Sequence, residues 1–355
     1  MSRKKSNLFG AALSALHYSG ADQLLAPLTR GNGVIFMLHH VRPRPPAEFE
    51  PNRILSVSPE FLDSVIGLVK ARGFDCISLD DAAQRLEDGA TGRPFASFTL
   101  DDGYRDNRDY AYPVFKRHSV PFTIYVPSAF ADGEGDLWWL TLESVVARSS
   151  KIVLEMNGAE EAFVTGTVAA KEAAFAKIYW WLRSLPERQA RDVVARLAAA
   201  EGLDPKGQCR ELVMSWDELR DLAADPLVTI GGHTVNHFAL SKLSEIEARR
   251  EMATGVERLE QQLGRPCRHF SFPYGDERSA GPREFRLAKD LGLRTAVTTR
   301  KGLIYRDHAQ GLTALPRFSL NGDFQDLRFV KVMLSGVPFA LWNGVNRLQS
   351  RAASL

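Results

Sequence analysis

The segment FTLDDGYRDN, residues 98–107, ends an apolar run in two adjacent carboxylates, Asp101 and Asp102. Neighbouring carboxylates that are both charged repel one another unless a cation or a shared proton intervenes. One of the two on a metal ion would resolve the conflict, and Gly103 supplies the freedom that a sharp exit from a strand needs. A second segment, VTIGGHTVNH at 228–237, carries His233 and His237 four residues apart after a glycine pair. That spacing sets two imidazoles on one side of a helical turn, as two ligands of one ion require. Two imidazoles and one carboxylate suit zinc in a catalytic site with positions left open for water and substrate. A non-haem iron centre uses the same ligand types, so the set by itself does not name the metal. Two further segments end apolar runs in reactive groups: HFSFPYGD at 269–276, and VIFMLHHV at 34–41 with His39 and His40 at its end. One histidine of that pair could titrate near neutrality and donate a proton.

These residues need strands to carry them. Short β-branched or aromatic runs at 34–38, 76–79, 95–100, 122–126, 227–231, 268–272, 295–299 and 315–320 alternate with helix-period segments near 59–72, 105–117, 216–224, 244–263 and 282–291. Alternation of this kind is the pattern of a parallel sheet with crossover helices. Ser58 before Pro59 and Glu60, and Ser244 before Glu245 and Glu247, mark helix starts with acids where the helix dipole favours them. Seven or eight such units predict an α/β fold, a distorted, incomplete (β/α) barrel. Residues 132–212 break the rhythm with a hairpin pattern, KIVLEMNGAEEAFV, and Ala-rich helices, and read as a mostly helical insertion. Loops at the carboxyl ends of barrel strands form the active-site face. The insertion is therefore expected beside the mouth, with Trp138, Trp139, Trp180 and Trp181 giving apolar surface there or in a core of its own. The resulting division is an N-terminal amphipathic helix within 1–31, a barrel from 32–131 and 213–322, the insertion 132–212, and a helical tail 323–355.

Composition narrows the function. With 45 Lys+Arg against 43 Asp+Glu, the chain lacks the marked basic excess of a general nucleic-acid binder. Cys76, Cys209 and Cys267 lie far apart, which points to a reducing compartment and away from a cysteine zinc site. The run Arg3-Lys4-Lys5 followed by LFGAALSAL meets His17, Tyr18 and Asp22 without a clear cleavage site, so 8–28 reads as an amphipathic helix and not a secretory signal. The most apolar C-terminal stretch is interrupted by Ser335, Gly336, Pro338 and Asn343, and reads as a helix packed on the domain. A cytoplasmic protein, at most peripheral to the inner membrane, is expected.

Together the four segments resemble the polysaccharide deacetylase (NodB-homology) family of carbohydrate esterases. FTLDDGYRDN is similar to the family's TFDDG motif, HTVNH to its H-[ST]-x-x-H motif and FPYG to its Pro-Tyr-Gly motif, in the family's order, over roughly 32–130 and 213–320. The resemblance implies a hydrolase removing N-acetyl groups from an N-acetylated sugar or polysaccharide, with Asp101 as general base and a divalent ion, zinc above others, on Asp102, His233 and His237. Such an ion would polarise the amide carbonyl and lower the pKa of water, and the backbone N–H of Tyr274 could face the oxyanion. An O-acetyl esterase, or a carbohydrate-binding protein without turnover, are the alternatives.

The sequence departs from the family pattern twice. No Leu-x-His segment holds the general-acid histidine, since His308 lies in the polar stretch YRDHAQG. VIFMLHHV instead resembles the N-terminal segment of the circularly permuted branch, which selects His39, with a neighbouring carboxylate expected to raise its pKa and His40 pointing away. In addition, Ser271 stands where many members place an arginine that pairs with the base; Arg317 in LPRFSL is the expected substitute.

Overall fold

The computed structural model describes residues 3–43 and 47–342. Seven strands run parallel around a closed ring: β1 (Gly33–Leu38), β2 (Phe95–Leu100), β3 (Phe122–Val126), β4 (Val228–Gly232), β5 (His269–Ser271), β6 (Thr295–Lys301) and β7 (Leu315–Ser319). Closure comes from β1, which pairs with β7 on one side and with β2 along its whole length on the other, Gly33 facing Phe95 and Leu38 facing Leu100. The ring is uneven. β5 is three residues long and meets β4 at a single pair, Phe270 with Gly232, while the register shifts between β6 and β7. The run expected at 76–79 yields only a two-residue strand, Asp75–Cys76, on the outer edge of β2, because helix Leu79–Glu87 begins at once behind its Ser78 cap.

Side-chain alternation decides what lies inside the ring. Phe98 and Leu100 of β2 pack outward with Phe36, Phe115 and Phe122, so Thr99 and then Asp101 continue the inward row. Phe270 and Phe272 pack outward with Phe285, which turns Ser271 inward. Phe318 packs outward beside Phe36, which turns Arg317 inward. The upper barrel interior is consequently polar, while its lower part is filled by Ile35, Phe95, Tyr125, Val297 and Leu315.

Helices Pro59–Ala71 and Glu245–Leu263 start at the serines expected to cap them: Ser58 Oγ accepts from Phe61 N, and Ser244 and Glu247 form a reciprocal capping box. The N-terminal segment is two helices, Arg3–Tyr18 and Ala21–Thr29, not one, because Gly20 takes a left-handed φ of 70° between them. Residues 105–117 give a π-turn, Asn107–Ala111, running into helix Tyr112–His118. Residues 132–212 contribute helices Trp138–Arg148, Val168–Leu182, Glu187–Ala200 and Pro205–Leu212 and the hairpin Lys151–Met156/Ala159–Val164. They form a second apolar core that incorporates Tyr104 and Phe130 from the carboxyl ends of β2 and β3, with Tyr274 packed against it. Of the tail expected at 323–355, helix Leu327–Leu334 and the helical turn ending at Trp342 are seen; Asn343 and everything after it lie outside the described residues.

Candidate active site

The chain leaves β2 through two consecutive left-handed residues, Asp102 at φ 75° and Gly103 at φ 68°. For a non-glycine residue such a conformation is strained, and strain of this kind persists where the surroundings over-determine it. Its effect is to send Asp101 and Asp102 to different partners. Asp101 points into the barrel, where the Arg317 guanidinium grips both oxygens, Nη1 to Oδ1 at 2.8 Å and Nη2 to Oδ2 at 2.7 Å. Both residues are buried. Burial by itself would raise the Asp101 pKa, but the Arg317 charge and its hydrogen bonds outweigh that and hold the carboxyl below its usual range. Arg317 is itself fixed by Thr298 O at 2.8 Å, Thr99 Oγ1 at 3.1 Å and Ser271 Oγ at 3.0 Å. Ser271 thus stands beside the arginine that arrives from β7 to grip Asp101.

Asp102 faces two imidazoles. Its Oδ1 lies 3.5 Å from His233 Nε2 and 3.3 Å from His237 Nε2, and the three ligand atoms fall within 4.8 Å of one another. Oδ1 is buried with no hydrogen-bond partner. Separations of that size are too long for hydrogen bonds. They match the edge of a tetrahedron around an ion with bonds of about 2.0–2.2 Å. His233 Nδ1 donates to Ser271 O at 2.5 Å, which fixes the tautomer and leaves Nε2 free to ligate. Burial is the main cause of a His237 pKa far below its ordinary value, which keeps that ring neutral, the form a ligand needs. The donor set therefore fits one divalent cation.

The two histidines converge without the expected helical turn. Thr234 at φ 67° and His237 at φ 56° curl the loop, with His237 N donating to Thr234 Oγ1 at 2.9 Å and Glu251 accepting from Val235 N and Asn236 N. Gly231 lets β4 approach closely enough, since a Cβ there would stand 2.6 Å from the Tyr125 ring.

His39 reaches the same spot. Its Nε2 lies 4.0 Å from Asp101 Oδ2 and its side chain keeps some contact with solvent. The expected upward pKa shift is not found: burial lowers the value and prevails over the opposing pull of Asp102 and Asp101. His40 turns the other way, as alternation requires, with Nδ1 2.6 Å from Asp106 Oδ2 and its ring 3.6 Å from that of Tyr104. Asn107 Nδ2 donates to His39 O at 2.7 Å, so the YRDN part of the DDG segment holds the His39-His40 pair in place. His308 lies at the opposite end of the barrel, in the short turn Arg306–Gln310 next to Ile304, which bridges to Gly33 at the start of β1.

Tyr274 closes the rim at φ 60°, and Gly275 follows at φ 57° where a Cβ would stand 2.5 Å from Thr299 N. The Tyr274 ring packs 4.8 Å from that of His237, and its backbone N–H makes no hydrogen bond among the described residues. The insertion fixes this tyrosine: Trp138 Nε1 donates to its hydroxyl at 2.8 Å, and the Arg183 guanidinium stacks 3.6 Å from the ring centroid. Arg191 lies within 3.4 Å of both Tyr274 Oη and His237 O. Trp139 packs 5.0 Å from the His237 ring. Trp138 and Trp139 thus lie at the mouth, whereas Trp180 is exposed and Trp181 packs against the insertion's own core. Tyr104, inside the DDG segment, is not singled out by the sequence, and no local pattern marks Arg183 and Arg191, which acquire their places only when the insertion folds onto the rim.

The profile of the polysaccharide deacetylase family matches residues 88–296. No curated protein matches the chain. Among solved structures, Streptococcus pyogenes deacetylase PplD in complex with acetate is 17% identical with a TM-score of 0.56, over 84% of this chain and 97% of that one. IcaB from Ammonifex degensii is 15% identical at a TM-score of 0.53, over 85% and 97%. A de-N-acetylase from Aggregatibacter actinomycetemcomitans is 14% identical at a TM-score of 0.53, over 84% and 99%. At such identities the likeness is one of fold. The family match, by contrast, spans more than half of the chain and takes in the two aspartates, His233, His237 and Tyr274, so that the protein belongs to the polysaccharide deacetylase family, hydrolases acting on amide bonds.

Proposed function

We propose that the protein removes N-acetyl groups from an N-acetylated sugar or polysaccharide, using one divalent ion, zinc, held by Asp102, His233 and His237. The observation that carries this reading is the buried, unpartnered Asp102 Oδ1 between two imidazole Nε2 atoms, next to a second carboxylate kept ionised by Arg317. When bound, the ion polarises the amide carbonyl and lowers the pKa of water. Asp101, ionised by its ion pair, takes the proton of the attacking water. The free N–H of Tyr274 faces the oxygen on which charge develops, where a fixed donor contributes most. An amine leaves only when protonated, and His39, 4.0 Å from Asp101, passes it a proton, which the one that Asp101 has taken from water then replaces. Arg317 is a positioning residue that never touches substrate.

Acetate release from an N-acetylglucosamine oligomer, with metal content measured in parallel, tests the reading. Activity should vanish on chelation and return with zinc. His39→Ala should keep the metal and slow amide cleavage by about 10²–10⁴. It should slow the cleavage of an acetyl ester less, since an alkoxide depends less on prior protonation. Equal loss on both substrates would remove His39 from the acid role, and acetate release from O-acetylated sugars alone would establish the esterase instead.

A further inference from the structure

The two most exposed large apolar side chains among the described residues, Leu28 and Leu24, lie where the two ends of the chain meet. On helix Ala21–Thr29, Leu24 and Leu28 are 79% and 84% exposed and lie one turn apart, with Leu25 beside them and Tyr18 on the preceding helix also open to solvent. Leu341 and Trp342 are each 57% exposed at the end of the described chain. The contacts between these segments make them one surface. Thr29 Oγ1 donates to Ser335 O at 2.7 Å, and a Cβ on Gly336 would stand 2.0 Å from Thr29 O. Trp342 packs 5.8 Å from Lys301 Nζ at the end of β6, and the chain runs on from there to Ile304, whose carbonyl accepts from Asn32 N at 2.7 Å.

Charge separates in the same way. Residues 1–21 hold Arg3, Lys4 and Lys5 and no acid; in the 29 residues after Asp326, Arg328 is paired with that aspartate, while Lys331, Arg347 and Arg351 follow with no further acid. The whole chain carries only +2, so the excess of base at the two ends is balanced by acid in the barrel and insertion. Asp22, the one acid on helix Ala21–Thr29, is buried.

We infer that this surface docks the protein onto an anionic lipid bilayer. Exposed leucines and a tryptophan flanked by Lys and Arg are what an interfacial helix inserts among headgroups, and each basic residue near an anionic leaflet adds attraction. No helix among the described residues is long and apolar enough to cross a membrane, so the contact is with the surface. A second copy of the chain is the poorer occupant, because two such patches would bring like charge together. The surface adjoins Gly33 at the amino-terminal rim of β1, so the bound protein turns its catalytic mouth away from the lipid.

Co-sedimentation of the full-length chain with vesicles of phosphatidylethanolamine and phosphatidylglycerol, against vesicles of phosphatidylcholine alone, tests this. Binding should favour the anionic vesicles at least tenfold and fall in high salt. Leu24→Glu combined with Leu28→Glu should reduce it at least tenfold, and Trp342→Ala several-fold, with acetate release from a soluble oligomer unchanged. Leu28→Ser serves where the double variant does not fold. Failure to sediment with anionic vesicles, undiminished binding by the leucine variants, or a homodimer that those variants dissociate would each overturn the assignment.

Discussion

Both ends of the barrel carry a cluster of carboxylate, imidazole and guanidinium, and the two are built differently. At the base, Asp80 faces His269 Nε2 at 3.4 Å, Arg294 at 3.2 Å and Arg268 at 3.5 Å, and His269 Nδ1 is spoken for by Thr295 Oγ1 at 2.8 Å. Asp80 is part-exposed, and none of its backbone neighbours takes a left-handed φ. At the mouth, Asp102 Oδ1 and His237 Nδ1 are buried without partners, as are Tyr104 Oη and Trp139 Nε1 beside them. Asp102, Thr234, His237 and Tyr274 all have positive φ. The same residue types thus produce a satisfied tie at one end and a strained, under-satisfied pocket at the other. An unpaired buried polar atom costs about 1–3 kcal/mol. Four of them together with four strained residues indicate a site that gives up stability for chemistry, and the barrel rule places that site at the carboxyl ends of the strands.

Removing a ligand should give the sharpest contrast between the two ends. His233→Ala and Asp102→Ala are each expected to abolish metal content and acetate release together, because among the described residues no cysteine or further histidine joins the three as a ligand group. His269→Ala, the same change at the base, should leave both in place. Metal retained by His233→Ala would mean that the ion sits elsewhere.

Asp101→Asn comes next. The amide cannot take a proton from water, so hydrolysis should fall by about 10²–10⁴ while metal content holds. Because Arg317 is buried against it, the variant should also melt at lower temperature, its guanidinium having lost a counterion. Loss of metal would show that the two aspartates have exchanged roles. Activity within threefold of the parent would exclude Asp101 as the base.

The sequence made the lower-order features of this mouth legible. Alternation along FTLDD, HFSF and LPRFS is enough to turn Asp101, Ser271 and Arg317 into one interior; Ser271 shows that the usual arginine is missing, and Arg317 in LPRFSL is the expected substitute. The hairpin at 151–164 was equally legible, because Asn157-Gly158 demands left-handed φ at both central positions, and both residues have it. Two things were hidden. The loop of HTVNH has the i, i+4 spacing of a helix, and only the Thr234 side chain capping His237 N shows why it is not one. The His39 pKa follows from depth of burial, a property of the assembled rim to which the chain on either side of His39 gives no clue.

What the insertion adds to the mouth can be measured on Trp138. Trp138→Phe keeps a six-membered aromatic ring and removes the pyrrole half of the indole with its donor to Tyr274 Oη. One such hydrogen bond is worth about 0.5–1.5 kcal/mol. A loss of up to about tenfold in kcat is therefore expected, with metal content unchanged, if the tyrosine's orientation serves the backbone donor next to it. A rise in KM with kcat intact would assign Trp138 to substrate binding instead.

The smallest effect is expected at the base. The nearby His269 imidazole leads the causes that hold the Asp80 carboxyl down at about 2, below an ordinary value of 3.8, with Arg268 and Arg294 assisting. A depressed carboxyl adds stability above its unfolded pKa and loses it as pH falls through the folded one. The contribution of Asp80 is therefore complete at neutral pH and fades between about pH 4 and pH 2. Its partial exposure screens the pair, which limits the gain to about 0.2–1 kcal/mol. For a chain of this size that is at most about 2–4 °C in melting temperature. Asp80→Asn should accordingly melt slightly below the parent at pH 7, and the gap should narrow at pH 3, while acetate release at 25 °C stays the same at both ends of that comparison. A gap that widens toward acid would mean that Asp80 is not the stabilising anion, and a loss of acetate release would mean that the base of the barrel is coupled to its mouth.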